Sequence, residues 1–102
     1  MKFLNFTVFD VHKSTDIAAV NDKFQAAPTE GYKVLHEFAC MSPPFPVPPN
    51  SIVGVSITEV KTTDAMLSHH YQLLLAGATI YRVPIMEVPM ASSIDVERKG
   101  RG

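Results

Sequence analysis

Strand and helix periods succeed one another along this 102-residue chain in the order β-α-β-β-α-β, which predicts an α+β domain built on one antiparallel sheet. Three observations carry the prediction. Four stretches alternate side chains with period two. Two stretches between them place apolar residues at helical spacing. The breaks fall where the backbone needs them, at Pro28 to Gly31, at the proline-rich residues 42–50 and at Gly77.

Residues 2–11 form the first strand, with Leu4, Phe6 and Val8 on one side and Phe3, Asn5, Thr7 and Phe9 on the other. The run His12 to Asp16 then offers cap residues and an acidic first turn. Ile17, Val20, Phe24 and Ala27 follow as a narrow apolar stripe, with Asp22 and Gln25 opposite, so this helix buries a single face. The second strand runs from Tyr32 to Met41 and puts Val34, His36, Phe38 and Cys40 on one side. Residues 42–50 hold five of the chain's eight prolines and suit a stiff polyproline arm rather than a helix or central strand. In the third strand, Ser51 to Val60, the residues Val53, Val55 and Ile57 alternate with Gly54, Ser56 and Thr58.

The stretch Thr63 to Gly77 reads as a second helix with both ends marked, and its apolar arc is wider than one sheet requires. At about 100° per residue, His70 falls inside that arc and His69 on its polar flank. A fourth strand follows from Thr79 to Val88, and Pro84 assigns it to a sheet edge. The order is that of the ferredoxin-like arrangement, in which first and third strands are central and both helices lie on one face. Residues 1–90 make one such domain, and residues 91–102 are expected to be a flexible tail.

Glu30-Gly31-Tyr32-Lys33-Val34-Leu35, Glu59-Val60-Lys61-Thr62-Thr63-Asp64-Ala65 and Val83-Pro84-Ile85-Met86-Glu87-Val88 resemble segments of the dimeric α/β-barrel group of ferredoxin-like proteins. Within that group the chain looks most like a family of short domains of unknown function. The resemblance covers most of residues 1–90, and the proline-rich insertion at 42–50 departs from its simplest form. It implies a homodimer. The wider group includes monooxygenases, isomerases and ligand-sensing domains, so the fold alone leaves the activity open.

A net charge of −1 gives no footprint for nucleic acid or an anionic membrane surface. The only basic cluster is Arg98-Lys99-Gly100-Arg101. Cys40 is the sole cysteine, so neither an intramolecular disulfide nor a cysteine-based zinc cage can form within one chain. The opening residues lack the shape of a signal peptide, and a cytoplasmic location is the expectation. Phosphate loops, His-x-x-x-His or Cys-x-x-Cys pairs and nucleophile elbows are missing, so no metal or cofactor is expected.

If Leu4, Phe6, Val8, Val53, Val55 and Ile57 face the helices, the other face of the central strands carries Phe3, Asn5, Thr7, Phe9, Ser56 and Thr58. Two such faces stacked in a homodimer would enclose a partly polar space. Asn5, Thr7, His36, Ser56 and Thr58, with Arg82 holding an anionic group, are the expected contacts to a small, partly apolar ligand. Two alternatives stand beside this reading. One is a cofactor-independent monooxygenase or isomerase using His36 or His70. The other is an interaction subunit that docks through the proline arm.

Overall fold

The computed structural model of the chain describes residues 1–88 and Gly100. The tail expected over residues 91–102 falls outside them, Gly100 apart. Strand β1 (Lys2–Asp10) leads through a 3-10 turn (Val11–Lys13) into α1 (Ser14–Ala26). Then follow β2 (Tyr32–Ala39), β3 (Ser51–Val60), α2 (Thr63–Leu75) and β4 (Thr79–Ile85). The strands form one antiparallel sheet of order β2-β3-β1-β4, so the fold is ferredoxin-like, with β4 at an edge as Pro84 requires.

Local chemistry sets the ends of α2. The Thr62 hydroxyl accepts from the Ala65 backbone N–H at 3.3 Å and caps the first turn. At the other end Gly77 adopts φ +101°, and the N–H groups of Gly77 and Ala78 reach back to the carbonyls of Leu74 and Leu73. This is a Schellman closure, and the left-handed residue in it favours glycine.

The two faces of the sheet are the reverse of the expected ones. Phe3 packs with Tyr32, Val60 and Ala65, and Phe9 packs against Ile17, Leu73 and Ala78. The helices therefore cover the half-polar face, whose registered rows are Val34–Thr58–Phe3–Pro84, Glu37–Ser56–Asn5–Arg82 and Ala39–Gly54–Thr7–Ile80. Leu4, Phe6, Val8, Val53, Val55 and Ile57 lie on the helix-free side. Period-two alternation states which residues share a face, but not which face is inside. The covered face holds the clusters around Phe3 and Phe9, and the polar residues between them hydrogen-bond to one another.

A second correction concerns β2. Val34 pairs with Thr58 and His36 with Ile57, so Leu35 is an extra residue, a β-bulge. The bulge reverses the alternation partway along the strand. Val34 stays under the helices while His36 and Phe38 turn to the helix-free side, whereas unbroken alternation would have kept all three together.

The arm at 42–50 folds back on its own domain. Phe45 meets Phe6 edge-on at 5.3 Å between ring centroids and lies 5.1 Å from Tyr81, covering the end of the helix-free face where Val8 and Val53 are buried. The remainder of that face stays open. Phe38 is 58% exposed, and Tyr81 and Val83 are also exposed.

Candidate functional site

The row Glu37–Ser56–Asn5–Arg82 crosses all four strands beneath the helices. Asn5 is its buried centre, 2% exposed, on a central strand. Its amide nitrogen donates to Thr58 Oγ1 at 3.0 Å and Ser56 Oγ at 3.2 Å, while its carbonyl accepts from Arg82 Nη1 at 3.0 Å. Arg82 Nε donates in turn to His70 Nδ1 at 2.8 Å. Each partner sets the next, so the carboxamide of Asn5 has one orientation and the guanidinium lies across the sheet rather than out into water.

Above this row is an open cleft of about 450 Å³ between sheet and helices. Asn5, Thr7, Ser56 and Arg82 line its polar floor, and Ile17 of α1 with Leu73 of α2 contribute an apolar roof. Five of the six expected ligand contacts thus come together around Asn5. Thr58, in the neighbouring row of the same face, is wholly buried, and it orients Asn5 rather than lining the cleft. His36 does not line this cleft: the Leu35 bulge pairs it with Ile57, and it is exposed, stacked on Phe38 and set at the edge of an adjoining hollow shared with Asn21, Val34, Glu37 and His69.

His69 was the residue least expected here. Seen from the wheel it belongs to the polar flank of α2, yet it turns inward and lines the cleft. Its ring stacks on Phe24 at 4.3 Å between centroids, meets Tyr32 edge-on, and places Nε2 3.1 Å from Asn21 Oδ1. Helix α2 packs on α1 as well as on the sheet, so the buried arc includes the side facing Phe24. Burial above all, with the charge of Arg82 and then His70 adding, pushes the His69 imidazole down to about 4. Burial and Arg82 lower His70 as well. The His69 ring is therefore neutral near pH 7, and His70 Nδ1, accepting from Arg82 Nε, presents its lone pair to it.

Asn21, Tyr32 and Glu37 also line the cleft and were not foreseen. Asn21 follows Val20 on the inward side of α1, and that position was the available signal. Glu37 became a cleft residue only through the bulge. Among the described residues no group of three His, Cys, Asp or Glu side chains gathers to hold a metal, and no helix is long and apolar enough to cross a membrane.

No family model matches the sequence, and no curated protein matches it at a significant level. Solved structures do. The ACT domain from GTP pyrophosphokinase of Chlorobium tepidum superimposes with TM-score 0.55 at 15% identity, covering 81% of this chain and 97% of that one. The C-terminal domain of the MgtC protein from Mycobacterium tuberculosis gives TM-score 0.55 at 8% identity, covering 86% and 93%. A DUF3240 family protein from Shewanella baltica is also similar, with TM-score 0.49 at 11% identity over 87% of this chain and 94% of its own. For the first two, at these identities, the likeness extends to the fold and ends there.

Proposed function

We propose that this chain is a homodimeric ligand-binding domain that takes a small, partly apolar molecule into the cleft between its sheet and its helices. One observation carries the reading: a hydrogen-bonded polar row, Ser56–Asn5–Arg82, forms the floor of a 450 Å³ cleft whose roof is apolar. A few fixed polar groups among apolar walls are what small-molecule sites are made of, and the volume lies in their usual range. The helix-free face supports the dimer. It is apolar through its middle and carries charges of both signs at one rim, Lys2, Lys33 and Glu59, which is a composition that suits a second copy of itself.

Catalysis through His36 or His70 has less behind it. His36 is exposed and stacked on Phe38 outside the polar floor of the cleft, and the Nδ1 of His70 is occupied by Arg82. Docking of another subunit through the arm is likewise weakened, because Phe45 is engaged by Phe6 and Tyr81.

The test is an amide chemical-shift map against a small set of aromatic fragments, charged and neutral. Perturbations should gather at Thr7, Asn21, Gly54 and Ser56. Shifts confined to the helix-free face, or none at all, would remove the proposal.

A further inference from the structure

We infer that the cleft selects a singly charged carboxylate on a largely apolar body, with Arg82 holding the carboxylate. The inference rests on the cleft being a ligand site and adds the chemical class of the ligand.

Arginine has five N–H donors. Nε spends one on His70 and Nη1 spends one on Asn5, which leaves three on a guanidinium that lines the cleft. The partners it has are neutral: a carboxamide oxygen and an imidazole nitrogen. The ion pairs among the described residues are Lys2–Glu87 and His12–Asp10, both remote from it. A partly buried guanidinium held between neutral acceptors lacks the counter-charge that such a group ordinarily has. A carboxylate on the free donors would supply it through charge-assisted hydrogen bonds.

The same geometry limits the anion to one charge. Among the described residues Arg82 is the only lysine or arginine lining the cleft. At the far end of its row stands Glu37, three strand spacings or roughly 14 Å away. A phosphate or a dicarboxylate would bring a second negative charge with no cation to meet it and a carboxylate at the opposite rim. The body of the ligand is set by Phe9, Ile17, Val34 and Leu73, which offer dispersion contacts and no charge.

Phenylacetate, phenylacetamide and phenyl phosphate, titrated by calorimetry or by shift mapping, separate the possibilities. Phenylacetate should bind the wild type about tenfold or more tightly than the isosteric amide, and more tightly than phenyl phosphate. Arg82→Gln should abolish that preference while amide binding persists. Arg82→Lys, which keeps the charge, should retain part of it and serves if Arg82→Gln does not fold. Equal binding of acid and amide would overturn the inference and leave the cleft reading standing. A preference for the phosphate, or one that survives Arg82→Gln, would overturn it as well. Failure of all three probes to perturb the cleft would count against the cleft reading itself.

Discussion

Two buried or half-buried residues of unlike chemistry, Asn5 and His69, explain most of the site. Asn5 sits where a valine would be expected on a central strand, and it is tolerated because both ends of its carboxamide are hydrogen-bonded. His69 is tolerated because it stays neutral. Its lowered pKa ties stability to pH, and the sign follows from which state takes the proton. Between about 6.5 and about 4 the unfolded chain binds a proton at this residue and the folded chain does not. His69 therefore contributes stability that is complete above pH 6.5 and is lost as the pH falls toward 4. After allowance for solvent screening the loss is about 1–2 kcal/mol. Urea melts of the wild type and His69→Leu across that window will check it. The variant should show a flatter profile, with the smaller contribution of His70 left; identical slopes would mean that the ring is already solvated.

The elements differ in how completely their own residues determine them. The helix α2 begins at a threonine cap and ends at a glycine closure, both visible in the chain, and β4 declares itself an edge by its proline. The arm was recognisable as stiff, but its docking site was not, since nothing in residues 42–50 names Phe6 and Tyr81 as its partners. Replacing Phe45 with alanine should cost about 1–2 kcal/mol, less than a fully buried phenylalanine because the ring is only half-buried. Chemical denaturation measures this, and an unchanged midpoint would show that the arm does not hold the sheet. The wide apolar arc of α2 is real. Its inward side packs through Ala65 and Leu73, while Leu67, Tyr71, Leu74 and Leu75 remain on the surface, Leu75 at 75% exposure.

At the scale of the molecule, a four-stranded sheet with helices on one side has a second face to dispose of. The arm covers one end of it, and the row Phe38–Val55–Phe6–Tyr81 runs beside the uncovered part. A second copy stacked there would give an isologous dimer in which Phe38 of each chain is buried. Sedimentation velocity at micromolar concentration should show a dimer for the wild type and a monomer for Phe38→Glu, whose paired charges would be desolvated in the interface. A monomeric wild type would end the dimer proposal.

The order of elements, the edge position of β4, the caps of α2 and the grouping of Asn5, Thr7, Ser56 and Thr58 on one face were all legible in the amino-acid sequence. Each depends on neighbours close along the chain, or on the period of the strand itself. Which face the helices cover was not legible, because alternation is symmetric under exchange of inside and outside, and that symmetry is broken only by tertiary packing, the clusters around Phe3 and Phe9 and the hydrogen bonds around Asn5. Nor could the chain announce the bulge at Leu35, one residue that moved His36 out of the site and Glu37 into it. The cleft and the inward turn of His69 arise where α1, α2 and four strands meet, and that meeting is a property of the packed molecule alone.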